Sequence, residues 1–475
     1  MLFVSLIFLF LFLPIVLGLY YIFKGHRNVQ NMILFLASLF FYAWGEPKFV
    51  IILIASIIGN WFLAFLIDRS KAMQVKRVYL IFAVMVNIGV LFIFKYLNFF
   101  VAQLNRIDGI NMVIRDIALP IGISFFSFQA LSYVIDVYRG EKCQRNPFHV
   151  GLYISFFPQL IAGPIIRYNS VERQIMNRVE TVNGFKKGII RFTQGFVKKI
   201  FLANTMAVIA DKAFDLVGND LTVSFAWLGA IAYTLQIFFD FSGYSDMAIG
   251  LGKMFGFEFD ENFNYPYISS SVTEFWRRWH ISLSNWFKDY VYIPLGGNKT
   301  GNPVRNYFNL FVIWLFTGIW HGANWTFIVW GLLFFIFQIL EKATPYGKFI
   351  DKHRIIGHIY TLLVVNVLWV VFRADGIHQA ILYIRTMFGF TNASLYSGQT
   401  WVYIKENIVY LFFALALSTD VFVRIRKSIN HLFENKKWLR PLIDIVGEVC
   451  LGIVFIVSII YIINGTYNPF IYFHF

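Results

Sequence analysis

Two histidines stand in polar-aromatic settings within an otherwise apolar chain. His321 lies in Phe316-Thr-Gly-Ile-Trp-His-Gly-Ala-Asn-Trp325, at the joint between two apolar runs. An ionisable group held there is expensive, which makes it a functional candidate. An imidazole titrates near neutrality and can take a proton from a hydroxyl. The plainer reading is a structural histidine hydrogen-bonded between helices, and the spacing leaves both open. The flanking glycines permit close backbone approach, which suits a substrate passage as well as tight packing. His280 lies in Glu274-Phe-Trp-Arg-Arg-Trp-His280-Ile-Ser-Leu-Ser-Asn-Trp-Phe-Lys-Asp289, the densest polar-aromatic stretch. Spacing alone favours an interfacial amphipathic helix there, with Arg277, Arg278 and Lys288 snorkelling to headgroups.

Two carboxylates and several hydroxyls share one hydrophobic run, Gln236-Ile-Phe-Phe-Asp240-Phe-Ser-Gly-Tyr-Ser-Asp246. Such groups should pair or line a wet cavity rather than face lipid. They could relay protons or hold ions, but a structural role around the two histidines is the favoured reading. The uncharged ending Asn468-Pro-Phe-Ile-Tyr-Phe-His-Phe475 reads as an interfacial aromatic anchor or, functionally, as a carrier. A phenol such as Tyr472 can form a covalent ester once a base removes its proton. Cys143 and Cys450 match no metal or redox spacing, no metal site is expected, and the remaining histidines receive no role.

The elements that must position these groups follow from composition. The chain has 475 residues, 58% hydrophobic and only 14% charged, with a mean hydropathy of +0.63. A water-soluble core of this size needs more polar residues to cover it, so an ordinary cytosolic enzyme and a disordered chain are both excluded. The expectation is an all-α polytopic membrane protein. The net charge of +15 then reflects cytoplasmic loops rather than nucleic-acid binding. Candidate spans fall near 3–23, 31–44, 49–67, 78–100, 118–138, 188–210, 222–250, 306–320, 324–340, 355–373, 403–420 and 442–463. The run at 31–44 is short, and the Trp44-Gly45-Glu46-Pro47 turn could break it. The first run is read as a retained helix, because its positive charges follow it and no cleavage site appears.

Loop charge sets the orientation. Residues 68–77 carry Arg69, Lys71, Lys76 and Arg77 against Asp68, and 139–145 and 421–440 are also basic. Residues 45–48 and 104–116 are balanced and 211–221 is acidic. By the positive-inside rule the basic loops are cytoplasmic, which places both termini outside and agrees with an even number of crossings. Residues 150–187 and 258–303 break the pattern and are candidate re-entrant or interfacial segments, since polar backbone at membrane depth must be buried in protein or line a cavity.

Several blocks in one order carry a resemblance: Phe156-Phe-Pro-Gln-Leu-Ile-Ala-Gly-Pro164, Asp240-Phe-Ser-Gly-Tyr-Ser-Asp246, Trp276-Arg-Arg-Trp-His280, Trp320-His321-Gly322 and the final hexapeptide. The chain resembles the membrane-bound O-acyltransferases (MBOAT), in the bacterial branch that acetylates alginate, peptidoglycan and other polysaccharides. The resemblance implies one domain over 1–475, a ring of about twelve transmembrane helices plus re-entrant helices around a central tunnel. It maps the catalytic histidine to His321 and a second cavity histidine to His280, against the interfacial reading. It makes residues 470–475 an extracytoplasmic motif whose tyrosine, Tyr472, relays an acyl group from a cytoplasmic donor to a separate SGNH-type transferase. That transferase would modify a polysaccharide.

On this resemblance the donor is expected to be acetyl-CoA, with no bound cofactor. Trp320, Asn285, Asp240 and Asp246 are expected around the substrate. Arg277, Arg278 and Lys299 could hold donor phosphates on charge alone. His321 is expected as general base and His280 as the group that orients or polarises the thioester carbonyl. The expected location is a bacterial cytoplasmic membrane. Rival readings are D-alanyl transfer to teichoic acid, which differs in its donor, and an ion or solute transporter, for which no internal symmetry is found.

Overall fold

A computed structural model describes residues 1–115, 117–218, 220–432, 439–465 and 471. Among the described residues every regular element is a helix. Each of the twelve expected apolar runs falls on a helix. Seven helices are long and apolar enough to cross a membrane: Val50–Arg69, Met73–Leu104, Val223–Met254, Trp325–Ala343, Arg354–Arg373, Gly398–Leu417 and Pro441–Asn464. Their surroundings differ. Of the apolar window in Val223–Met254, 78% is buried inside the protein, against 6% for Pro441–Asn464. The former is a packed element, so its carboxylates must be satisfied by protein groups. The latter leaves its apolar surface for lipid.

The short run near 31–44 does not break. Helix Arg27–Gly45 is continuous over 19 residues and stops where Glu46 donates its backbone N–H to Tyr42 O at 2.9 Å. Pro47, with its fixed φ and no N–H to give, cannot extend it.

Contacts divide the chain into two compact units, Met1–Phe192 with Met247–Asp260, and Thr193–Asp246 with Glu261–Phe475. In the first, the Phe156–Pro164 block sits among short helices (Pro147–Ser155, Phe157–Leu160, Tyr168–Asn177), and every residue from 149 to 166 is buried. Protein cover is what permits this irregular backbone. Gly122 adopts φ +76° against it, and a Cβ there would lie 2.8 Å from Leu160 O. Nearby, the buried Arg178 guanidinium donates to Tyr20 Oη at 2.9 Å and to Asn31 Oδ1 at 2.7 Å. Arg27 completes this cluster through Glu180.

In the second unit, helices Pro303–His321 and Trp325–Ala343 form a tight hairpin. A Cβ on Gly318 would lie 2.6 Å from Phe327 O, and one on Gly331 would lie 2.5 Å from Trp314 O. Only glycine at these positions lets the backbones approach so closely. Asn302 and Asn324 cap the two helices, accepting from Val304 N at 2.9 Å and Thr326 N at 3.1 Å. The 258–303 stretch breaks into short pieces, including Val272–Arg278 and Ile281–Phe287. The Glu341 carboxylate, at the end of helix Trp325–Ala343, accepts from the backbone N–H of Val272 (2.6 Å) and Thr273 (2.9 Å). That carboxylate satisfies two orphan donors and complements the helix dipole, so it pins the start of the His280 segment.

Candidate active site

His321 is the last residue of its helix and is buried, with 6% of its surface exposed. Three aromatic rings meet it edge-on: Trp320 at 5.0 Å, Trp330 at 5.0 Å and Phe372 at 5.1 Å. The cage follows from the Gly318–Gly331 hairpin, which brings Trp330 across from His321. Helix Arg354–Arg373 supplies Phe372. An imidazole so enclosed works in a water-poor setting, where proton transfer and charge stabilisation are strongest.

His280 lies between the two short helices in the left-handed region, φ +43°, which is strained for a non-glycine residue. It is 1% exposed. Its ring meets Phe241 edge-on at 4.5 Å and Trp320 at 6.1 Å. Trp320 therefore touches both histidines. The interfacial amphipathic reading of this segment does not hold at His280, which is interior.

One side of the His280 ring is committed. Asn262 Oδ1 accepts from Ser282 N at 3.1 Å and from Ser282 Oγ at 2.9 Å, and lies 3.2 Å from His280 Nδ1. A backbone N–H can only donate, so the Asn262 atom facing it is the oxygen. That oxygen can only accept, so Nδ1 carries the proton and Nε2 carries the lone pair. Nε2 is buried without a hydrogen-bond partner among the described residues. Burial pushes the imidazole pKa down to about 3, so the ring is neutral at ordinary pH. Polarising a carbonyl needs a donor. A neutral ring with a bare Nε2 presents an acceptor instead.

A cavity of about 430 Å³ opens beside this segment. Arg277, Lys288 and Lys342 give it positive charge, Trp276, Trp314 and Thr317 line its apolar part, and Asn285 also faces it. Trp276 packs on Trp314 at 4.8 Å and on Trp330 at 5.6 Å, and Trp330 in turn contacts His321. The volume and lining suit a small-molecule pocket with a few placed polar groups. Arg278 points elsewhere: it binds Glu274 at 2.9 Å and donates to Asn264 O at 3.1 Å. Lys299 is exposed and does not line the cavity.

Asp240 and Asp246 do not line that cavity either. Each is paired: Asp240 with Lys199 at 2.6 Å, and Asp246 with Lys198 at 2.7 Å. The pairing expected for carboxylates in an apolar run is what the structure holds. The second oxygen of Asp240 accepts from Ile471 N at 2.8 Å. Tyr472 lies outside the described residues.

Sequence reasoning missed Asn262, Glu341 and Lys342. A charged pair ending an apolar helix, Glu341-Lys342, was a readable signal. A lone asparagine in a loop offers none.

A profile of the membrane-bound O-acyltransferase (MBOAT) family matches residues 36–384. The chain is 41% identical over 500 aligned residues to a probable alginate O-acetylase of Pseudomonas putida, covering 100% of both chains. It is 35% identical over 423 residues to a peptidoglycan O-acetyltransferase of Helicobacter pylori, covering 82% of this chain and 80% of the relative. A teichoic acid D-alanyltransferase of Bacillus subtilis is 30% identical over 258 residues, covering 49% of this chain and 62% of the relative. The protein thus belongs to the membrane-bound O-acyltransferase family, and is a multi-pass membrane O-acyltransferase.

Proposed function

We propose that this protein transfers acetyl groups from cytoplasmic acetyl-CoA across a bacterial cytoplasmic membrane, for O-acetylation of a cell-envelope or secreted polysaccharide. The 475 residues act as one catalytic domain, a ring of about twelve helices with both termini outside. The observation that carries the reading is the convergence of two buried histidines on Trp320, beside an apolar cavity rimmed by three cations. The full-length similarity to an alginate O-acetylase and the extensive similarity to a peptidoglycan O-acetyltransferase support acetyl transfer to a polysaccharide.

Arg277, Lys288 and Lys342 hold the donor's phosphates, and the thioester arm runs past Trp276 and Trp314 toward His321. The acceptor hydroxyl is that of Tyr472. His321 takes the phenolic proton as the phenolate oxygen attacks the thioester carbonyl. The tetrahedral intermediate collapses, the C–S bond breaks, and the departing CoA thiolate recovers the proton from His321. The acetyl group is then an ester on Tyr472. His280 packs against Trp320 and helps to orient the reacting groups around His321. General acid–base help of this kind supplies about 10²–10⁴-fold, and positioning supplies more. A separate extracytoplasmic SGNH-type transferase takes the acetyl group from Tyr472 to the polymer. The relay is needed because the donor and the polymer lie on opposite sides of the membrane.

Partial similarity to a D-alanyltransferase favours one rival, which uses a carrier-bound donor. Both readings are tested by thiol release in proteoliposomes. Acetyl-CoA supplied to the cytoplasmic face is expected to release CoA, and His321→Ala is expected to abolish release with the protein still folded. Turnover with a D-alanyl carrier and none with acetyl-CoA would overturn the acetyl reading.

A further inference from the structure

We infer that Asp240 and Lys199 form a docking site for the chain's own C-terminal segment, gripping the backbone N–H of Ile471. The pair sits in the protein interior, with side chains 1% and 3% exposed. Lys199 Nζ lies 2.6 Å from one carboxylate oxygen, and the other oxygen accepts from Ile471 N at 2.8 Å. A buried ion pair persists only when its remaining lone pairs are also satisfied. Ile471 N–H fills such a position with a charge-assisted hydrogen bond. The Ile471 side chain is 6% exposed and belongs to the same apolar cluster as Leu235, Phe238 and Phe239. The site thus reads one backbone donor and one apolar side chain, which suits an aromatic-aliphatic peptide end.

Its place matters for chemistry. Phe241, next on the helix after Asp240, packs edge-on against His280 at 4.5 Å. Tyr472 follows Ile471 in the sequence, so on the relay reading the Asp240 carboxylate anchors the residue that precedes the acyl carrier. A purely structural ion pair would join Lys199 to helix Val223–Met254 and be indifferent to Ile471. The two roles therefore separate experimentally. The docking itself stands on this geometry, and only its consequence for catalysis rests on the relay reading above.

The test uses the full-length protein in liposomes or detergent, with two readouts. Carboxypeptidase release of residues 475 to 472, followed by intact mass, reports docking. Acetyl label on Tyr472 from acetyl-CoA reports the relay. Ile471→Pro removes the N–H and Ile471→Val keeps it. Ile471→Pro is expected to be trimmed at least about tenfold faster than wild type, the effect of one lost charge-assisted bond, with Ile471→Val close to wild type. The paired change Lys199→Met with Asp240→Leu removes both charges without orphaning either. It is expected to be trimmed like Ile471→Pro while unfolding at a temperature close to wild type. Trimming of Ile471→Pro at the wild-type rate would overturn the docking site. A protected wild-type tail that never acquires acetyl, exposed by Ile471→Pro, would support docking and overturn the relay instead.

Discussion

His280 Nδ1 lies 3.2 Å from Asn262 Oδ1, an oxygen already committed to the backbone N–H and hydroxyl of Ser282. That commitment decides which ring nitrogen carries the proton, and so which face of His280 is left to act. Asn262 itself is held by donating to Ser245 Oγ at 3.1 Å, a contact compatible with that amide orientation.

Asn262 is therefore a positioning residue for His280. Asn262→Leu is expected to lower kcat about 10²-fold with little change in KM for acetyl-CoA, because the free ring loses its tautomer and orientation. Asn262→Asp keeps an acceptor opposite Nδ1, and is expected to restore part of the rate and raise the basicity of the ring. Steady-state kinetics across pH separate these outcomes. A rise in KM at unchanged kcat would assign Asn262 to donor binding instead.

Stability should fall in acid because of the same histidine. Its folded pKa is about 3 against an ordinary 6.5. Below pH 6.5 the unfolded chain takes up a proton that the folded protein refuses, so this contribution is complete above 6.5 and is lost progressively toward pH 3. The slope is about 1.4 kcal/mol per pH unit. Thermal unfolding in detergent between pH 6.5 and 5 is expected to show about 2 kcal/mol less acid sensitivity in His280→Asn than in wild type. Equal slopes would place His280 in contact with water.

Donor binding is expected to depend on the cations that line the cavity and not on Lys299. Arg277→Ala, Lys288→Ala and Lys342→Ala should each raise KM for acetyl-CoA on the order of tenfold, the contribution of a charge-assisted hydrogen bond. Lys299→Ala should leave it unchanged. A pantetheine thioester without the nucleotide phosphates should be insensitive to all four. Equal sensitivity of the short donor would show that these residues act on folding and not on phosphate.

Much of the architecture was legible because hydropathy reports lipid contact and charge reports loops. Each expected run falls on a helix, and the irregular blocks at 150–187 and 258–303 fell where prolines, glycines and charges interrupt apolar sequence. The site was less legible. His321 stood out as an ionisable group at an apolar joint, whereas His280 looked interfacial because Arg277 and Arg278 flank it. Burial there comes from Phe241 and Trp320, which are distant in sequence. Arg278 read as a phosphate ligand, yet Glu274, four residues earlier, takes it. The partners of Asp246 and Asp240 are Lys198 and Lys199, more than 40 positions away in the sequence.

The most direct test of the relay uses purified protein in liposomes with isotopically labelled acetyl-CoA, followed by intact-mass and peptide analysis. Wild type, His321→Ala and Tyr472→Phe would be compared, each shown to be folded. The account predicts label on Tyr472 in the wild type and on neither variant. CoA release from wild type with no labelled Tyr472, or a labelled Tyr472 in His321→Ala, would contradict it.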